Sequence, residues 1–265
     1  MAERKSFLRQ AQDGEQSRTI DFESCAVIVA HPDDETLWAG GTILMHPDVQ
    51  WTVVTLCRKS DRDRAGRFAR AIEEFRISDF GFRIFGKMGD LDDGPEQKPL
   101  VENEVKDTIM SLLLSVNSSS TMNKPRSSLI VNRKTKNNEQ RTMNKFDLII
   151  THSLCGEYTR HKRHEETAKA VCGLWKSGRL PARQMWMFAY EDDGGKKLPE
   201  PIREADLSVK LSDDIWRKKY HTITKIYGFG PDSFEAKAAG REEAFWCFGV
   251  GDNVERRLKN RSKEK

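Results

Sequence analysis

Cysteine is scarce in this sequence of 265 residues, and no two cysteines form a closely spaced pair. The five cysteines are dispersed and lack any C-x-x-C pattern: Cys25, Cys57, Cys155, Cys172 and Cys247. An odd, scattered set argues against a disulfide framework and indicates a reducing compartment.

Long apolar runs and a strong excess of one charge are also lacking. No stretch approaches the about 20 apolar residues of a membrane-spanning helix, and residues 1–19 lack the apolar core of a secretory signal. The formal net charge of +4 is too small to indicate a specific nucleic-acid partner. These absences predict a cytoplasmic protein without a transmembrane segment. They do not indicate an oligomeric state.

Short apolar segments alternate with segments of helical periodicity. Apolar side chains recur at three- and four-residue spacing within 65–75 and 101–116, which predicts amphipathic helices, and a last helix is predicted near 215–227. The alternation predicts an α/β fold with a mainly parallel sheet flanked by helices. The predicted strands are 26–30, 51–56, 82–85, 146–151 and 184–190, and an acidic turn is predicted at 89–95.

Three polar segments are predicted to lie outside the packed core. Residues 1–20 are expected to be a flexible N-terminal segment, 117–145 a flexible insertion, and 252–265 a basic tail that is disordered after Asn253. Such compositions bury too little apolar surface to offset the entropy of ordering the chain. Residues 21–251, apart from the insertion, are predicted to form a single domain.

The predicted strand 26–30 ends abruptly at a histidine, a proline and three acids. His31 and Asp34 lie three residues apart at a strand-to-helix turn, where both side chains can point at one cation such as Zn²⁺. Asp33, pointing elsewhere, would then be free to accept a proton. The same residues also suit an ordinary helix start, with an early proline and acids that complement the helix dipole.

A second polar cluster precedes a later predicted helix. His164 shares a helix face with Thr167 and Val171, which must pack on the sheet, so it can meet His31 and Asp34 above the strand ends. Two histidines and one carboxylate leave a coordination position open, as in catalytic zinc sites, and predict metal-assisted hydrolysis of an amide. Asp33 would take the proton of water, and a cationic His161 would stabilise the oxyanion or protonate the amine. The alternative is that His161 and His164 are surface residues in a basic run.

Other histidines are assigned smaller roles. His152 closes a predicted strand on the same side, where it either supports the metal ligands or caps the loop. The sequence His46-Pro47-Asp48 echoes the first cluster but follows a helix and lacks the second acid, so we interpret it as a turn.

The motif Ala30-His31-Pro32-Asp33-Asp34-Glu35 after an apolar strand, followed by His-x-x-His at 161–164, resembles the LmbE-like family, which includes the N-acetylglucosaminylphosphatidylinositol de-N-acetylases. The resemblance covers about residues 26–190 and implies a Rossmann-like fold with zinc-dependent deacetylase activity. It implies that His31, Asp34 and His164 are the metal ligands, Asp33 the general base and His161 the charged partner of the transition state. It also implies an oxyanion or substrate contact for Tyr158, and a position near the sugar cleft for Asp93.

This chain departs from the family between the two histidines of the second motif. Many bacterial members have an aspartate there, whereas this chain has Lys162 and Arg163. Another carboxylate must therefore orient the first histidine if it needs one.

The resulting functional hypothesis is a hydrolase that depends on Zn²⁺ or another divalent metal and removes an N-acyl group, most plausibly acetyl, from an amino-sugar conjugate. A conjugate of N-acetylglucosamine would be such a small-molecule partner. Two alternatives stay open: a metal-dependent amidase acting on a non-sugar amine, and a catalytically silent family member that binds a sugar conjugate.

Overall fold

The structure is a computed structural model that describes residues 22–76, 84–94, 98–120, 145–158 and 161–261. Nine strands lie in this part of the chain: β1 (Ser24–Val29), β2 (Gln50–Cys57), β3 (Ile84–Leu91), β4 (Phe146–Thr151), β5 (Ala182–Phe188), β6 (Tyr190–Glu191), β7 (Glu200–Pro201), β8 (Leu207–Lys210) and β9 (Glu242–Gly249). The α-helices are α1 (Asp34–Met45), α2 (Arg62–Arg76), α3 (Glu102–Ser120), α4 (Lys162–Lys176), α5 (Asp213–His221), α6 (Phe234–Ala238) and α7 (Val254–Arg261). A π-helix, Thr222–Ile226, continues directly from α5.

Seven of these strands form one sheet in the order β3-β2-β1-β4-β5-β9-β8, and β6 pairs with β7. The first five are parallel, whereas β9 and β8 pair antiparallel. The direction in which the chain adds strands reverses between β1 and β4, and this is where ligands bind in open α/β sheets. The side chains that follow β1 and β4 therefore meet at one cleft.

Helices cover both faces of the sheet, as the predicted α/β fold requires. Along β1, Val27 and Val29 pack into a core with α1, α2 and the π-helix, while Ala26 and Ile28 pack into a second core with α3 and α4. This alternation follows from the two-residue period of a strand. The predicted Rossmann-like fold, mainly parallel and flanked by helices, is confirmed.

Several predicted boundaries are wrong. The strand β3 reaches Leu91, so Gly89–Leu91 belong to the strand instead of the predicted turn, and Leu91 pairs with Cys57 of β2. The tail is not disordered throughout, because Val254–Arg261 form α7, whose Val254 is buried beside Phe248 of β9. The predicted insertion begins within α3, which continues to Ser120.

Two further predictions concern the turn after α1 and the polar segments outside the packed core. Pro47 and Asp48 form the predicted turn after α1. The predicted flexibility of residues 1–20 and of 121–144 falls outside the described residues.

Candidate active site

The turn between β1 and α1 carries the first cluster. The amide of His31 donates to Asp34 Oδ2 at 2.8 Å, and His31 Nδ1 lies 3.1 Å from the same oxygen. These contacts bend the chain so that the first turn of α1 directs Asp34 back over the end of β1. The helix-start interpretation therefore holds for the backbone, while the Asp34 side chain points into the cleft.

Asp33 occupies an unusual backbone conformation at the start of α1. Its φ is 130° and its ψ is −30°, a region that L-residues rarely adopt, and its carboxylate makes no capping hydrogen bond to the helix. Its carbonyl accepts the amides of Thr36 and Leu37 at 3.0 and 2.8 Å. The side chain is thereby left to face the cleft, where Arg64 Nη1 lies 3.2 Å from Asp33 Oδ2.

The second histidine of the later motif is held by a carboxylate that the sequence did not reveal. His164 is fully buried in the first turn of α4, and its Nδ1 lies 2.6 Å from Glu157 Oε2. Glu157 is also fully buried. Because a carboxylate accepts, this contact places a proton of His164 on Nδ1, and Nε2 is the nitrogen that faces Asp34.

His152 shares the same carboxylate oxygen. Its Nδ1 lies 2.9 Å from Glu157 Oε2, and its ring stacks on His164 with 3.8 Å between the ring centres. The amide of Ala30 donates to His152 Nε2 at 3.0 Å, so that nitrogen is already used as an acceptor. This placement makes His152 a support for the turn after β1 and for Glu157, while its Nε2 also lies 3.4 Å from Asp34 Oδ2, and Asp34, His152 and His164 form a group that could hold a metal.

Asp34 Oδ2 is the point on which the imidazoles converge. It lies 3.1 Å from His31 Nδ1 and 3.3 Å from His164 Nε2. His164 Nε2 is buried and has no hydrogen-bond partner among the described residues. The cluster thus contains a buried imidazole nitrogen without a hydrogen-bond partner, a second imidazole and a carboxylate. Zn²⁺ is bound by ligands of these types, and Glu157 would supply the carboxylate that usually supports a metal-binding histidine. Two groups of residues that could hold a metal contain the predicted ligands, His31 with His161 and His164, and Asp34 with His152 and His164. The set His31, Asp34 and His164 stays a prediction.

The pKa values of the two neighbouring aspartates, Asp33 and Asp34, are shifted in opposite directions. Burial and the charge of Asp34 hold the pKa of Asp33 well above its usual range. Burial alone would also raise the pKa of Asp34, but His164 and His152 outweigh it and leave that pKa well below its usual range. Two adjacent acids whose pKa values are separated in this way suit different chemical tasks, one as a permanent anion and one as a proton acceptor.

His161 lies beside the cluster and packs against two of its imidazoles. Its ring stacks on His164 at 4.2 Å between centres and contacts His31 at 4.9 Å. Burial, followed by the neighbouring imidazoles, lowers the pKa of His161 to about 3. The predicted role of His161 as a charged partner of the transition state stays a prediction.

No carboxylate replaces the family's aspartate at His161 in the part of the chain that the structure describes. His161 Nδ1 is buried without a hydrogen-bond partner among the described residues. Arg163 turns away, with Nη1 2.5 Å from Glu166 Oε2 and Nη2 2.9 Å from the carbonyl of Lys98. The ring of His161 is instead fixed by stacking on His164.

Asp93 and Tyr158 line the same cleft. Asp93 Oδ1 lies 3.1 Å from His31 Nε2, and its other oxygen accepts Arg58 Nε at 2.7 Å. Burial alone would raise the pKa of Asp93, but His31 and Arg58 outweigh it and lower that pKa to about 2. Tyr158 packs its ring 5.6 Å from His164 and 4.9 Å from Phe234. The predicted substrate contacts of both residues stay predictions.

A cavity of about 280 Å³ opens over these residues. Its lining joins most of the predicted site residues, although not His152 or His164, to four polar or aromatic side chains from elsewhere in the chain: Arg58, Arg64 of α2, and Phe234 and Glu235 of α6. Phe234 is 37% exposed, although it is a large apolar side chain. The cavity therefore combines a polar base with an aromatic wall, and it leaves room for a small polar group next to Asp33.

Sequence reasoning missed Glu157, Arg58, Arg64 and Phe234. A single sequence signals such residues poorly, because they lie in loops or on elements distant from both motifs. The one available cue was position: Glu157 lies between His152 and His164, both of which were candidates.

Fold and site together define a Rossmann-like α/β protein with a cluster of metal-ligand type at the switch point of its sheet. The profile of the family described as PIG-L, GlcNAc-PI de-N-acetylase, matches residues 26–175. That match spans more than half of the chain, so the chain belongs to the GlcNAc-PI de-N-acetylase family. No curated protein matches the chain in sequence.

Three solved structures illustrate the shared fold. The N,N′-diacetylchitobiose deacetylase of Pyrococcus horikoshii is 13% identical, with a TM-score of 0.54 over 86% of this chain and 85% of that chain. The zinc-inhibited form of teicoplanin deacetylase is 10% identical, with a TM-score of 0.54 over 87% of this chain and 100% of that chain. The 4-carboxy-2-hydroxymuconate hydratase of Pseudomonas putida KT2440 is 13% identical, with a TM-score of 0.53 over 88% of this chain and 98% of that chain. At these identities the similarity establishes the fold, and the hydratase shows that one fold serves more than one reaction.

None of the helices among the described residues is both long and apolar enough to cross a membrane.

Proposed function

We propose that the protein is a zinc-dependent N-deacetylase that removes an acetyl group from an amino sugar in a small-molecule conjugate. The observation that carries the proposal is the buried Nε2 of His164, which has no hydrogen-bond partner among the described residues and lies 3.3 Å from Asp34 Oδ2, next to a cavity lined by Asp33. Membership of the de-N-acetylase family supports the choice of an acetamide as the bond that is cleaved.

The protein's own residues divide the remaining work. His31, Asp34 and His164 would hold the metal, which when bound supplies a Lewis acid that lowers the pKa of a water and polarises the acyl carbonyl. The backbone turn directs the side chain of Asp33 away from these three ligands, and its carboxylate would accept a proton. Its raised pKa brings it closer to the range in which a general base also returns a proton to the departing amine.

His161 and Tyr158 would act on the acyl oxygen. A neutral imidazole can donate an N–H to a developing oxyanion without carrying a charge, and a phenol can donate its O–H in the same way. Burial and then Asp34 raise the pKa of Tyr158, which keeps its proton in place as a donor. Phe234 would provide an apolar contact to the sugar, and Asp93 an anionic one.

The decisive experiment pairs metal analysis with an acetate-release assay. Elemental analysis of the purified protein should find about one divalent metal per chain. A panel of N-acetylated sugars and N-acylated non-sugar amines should yield acetate chiefly from the sugars. Release only from the non-sugar amines would favour the amidase alternative, and folded protein that binds no added metal would favour a silent binding protein.

Asp33→Asn tests the general base within the same assay. We expect it to retain the metal and to lose at least about 100-fold in kcat, the scale of general-base catalysis. Asp48→Asn, in the exposed turn after α1, is the matched control and should remain fully active. Wild-type activity of Asp33→Asn would remove Asp33 from the mechanism.

A further inference from the structure

The strained turn at Asp33 needs an external support. A non-glycine residue at φ 130° returns to a relaxed conformation unless its surroundings hold it. The carbonyl of Asp33 is held by the first turn of α1, as described above. Its amide faces the opposite way and points at the side chain of Glu35.

Glu35 holds that amide through a fully buried carboxylate. Its Oε2 accepts the Asp33 amide at 3.0 Å, while its Oε1 accepts the hydroxyls of Thr36 and Tyr227, each at 2.6 Å. Glu35 is 0% exposed, so its orientation depends on these donors. Thr36 is its neighbour in sequence, which leaves Tyr227 as the distant anchor.

Tyr227 is itself fixed from two sides. It ends the π-helix, where its amide donates to the carbonyl of Thr222 at 2.9 Å, and its own carbonyl accepts the guanidinium of Arg67 from α2. Its side chain is 1% exposed. Segments of π-helix are rare and occur often at functional sites, where they re-aim a side chain.

We infer that Tyr227 is a positioning residue for Asp33: its hydroxyl fixes the Glu35 carboxylate, and Glu35 in turn fixes the backbone that aims Asp33 into the cavity. This inference rests on the proposed function, since it assigns Asp33 the part of the base. It also extends the working parts of the site beyond residue 175, where the family match ends.

Tyr227→Phe removes the hydroxyl and keeps the buried ring. With N,N′-diacetylchitobiose, or whichever N-acetyl sugar wild type cleaves fastest, we expect kcat to fall about 10- to 100-fold, because a small misplacement of a catalytic group has that effect. The KM, the metal content and the Tm should stay close to wild type. Tyr220→Phe is the matched control, because Tyr220 packs on Trp216 in α5 and lies away from Asp33.

A double-mutant cycle separates positioning from packing. Substitutions of residues that act through one group do not have additive effects on kcat. Tyr227→Phe should therefore have no further effect on kcat in an Asp33→Asn background. A purely structural role would lower kcat by the same factor in both backgrounds, and that result would overturn the inference.

Hydrogen exchange gives a readout that does not depend on activity. The peptide that contains residues 31–36 should exchange faster in Tyr227→Phe than in wild type or Tyr220→Phe, because the Asp33 amide loses its fixed acceptor. Equal exchange in the three proteins would overturn the inference, whatever the substrate.

The two proposals fail in different ways. Full activity of Asp33→Asn would contradict the proposed base, and it would leave the exchange result to decide whether Tyr227 holds this turn. An inactive Asp33→Asn combined with a fully active Tyr227→Phe would contradict the positioning role alone.

Discussion

The Nδ1 atom of His164 lies 2.6 Å from Oε2 of Glu157, and this contact decides which nitrogen of His164 faces the site. The same oxygen lies 2.9 Å from Nδ1 of His152, whose ring is stacked on that of His164. One buried carboxylate thus orders two imidazoles. It leaves His164 Nε2 directed at Asp34, as a metal ligand requires.

Glu157→Gln tests this arrangement. Glutamine keeps the size of the side chain but removes the charge that favours a proton on Nδ1 and raises the basicity of Nε2. We expect the affinity for Zn²⁺ to fall about 10- to 100-fold, the usual effect of changing a carboxylate behind a metal-bound histidine. Competition with a chromogenic chelator measures this affinity.

Glu165→Gln provides the control for that variant. Glu165 follows His164 in α4, but its carboxylate lies 3.6 Å from Lys169 Nζ instead of reaching the cluster. The Glu165→Gln variant should bind Zn²⁺ with the same affinity as wild type. Equal affinities in all three proteins would show that Glu157 does not support a metal ligand.

The positions of the three predicted ligands could be derived from the sequence, because each follows from local periodicity. The apolar run before His31 predicts a buried strand, and the spacing of His164 to Thr167 and Val171 places its side chain on the inner face of a helix. Parallel strands then bring their carboxyl ends to one edge. These three facts suffice to bring His31, Asp34 and His164 together.

The supports of the site could not be predicted, because they depend on tertiary contacts that have no period. Glu157 lies in a loop, and Tyr227 reaches Glu35 across 192 residues of sequence. The lowered pKa of His161 likewise depends on burial and on the neighbouring rings, which the basic run around it did not indicate.

The helix near 215–227 was predicted, but the strands β8 and β9 and the helix α7 were missed for a related reason. The strand β9 contains a buried glutamate, Glu243, within its apolar run, and α7 has few apolar side chains that would mark a buried face. The sequence between β5 and β9 therefore shows weak patterns, although its residues complete both the sheet and the wall of the cavity.

His46 predicts a pH dependence of stability that is independent of the active site. Burial lowers its pKa from 6.5 to about 4, with Asp48 opposing the shift. Below pH 6.5 the unfolded chain therefore binds a proton that the folded chain does not. The free energy of unfolding should decrease as the pH falls from about 6.5 to about 4, by up to about 1.4 kcal/mol per pH unit.

Urea denaturation across this pH range measures the effect as a difference from His46→Gln. The variant lacks the titrating group, so the difference in unfolding free energy should change with pH between these limits and become constant below them. His221→Gln, at the exposed end of α5, should follow wild type, because it leaves His46 intact. A constant difference between wild type and His46→Gln would contradict the prediction.

Lys219 and Glu243 form a buried ion pair that joins α5 to β9, with 2.7 Å between Nζ and Oε1. Glu243 also accepts the amides of Gly41 and Thr42 and the hydroxyl of Thr42, each at 2.7 Å, so this pair fixes α1, the helix that begins at Asp34. Removing one partner leaves a buried charge without its counterion, which is far more costly than replacing both.

Lys219→Met should therefore lower the free energy of unfolding by about 3–5 kcal/mol. The double variant Lys219→Met/Glu243→Gln should recover part of that loss, because it no longer contains an unpaired charge. Lys218→Met, at an exposed position on the same helix, should change stability by no more than about 0.5 kcal/mol. Urea denaturation of the four proteins at neutral pH measures these values. If Lys219→Met were as stable as Lys218→Met, the pair would not hold α1 in place, and the position of Asp34 would have to depend on the sheet contacts of α1 alone.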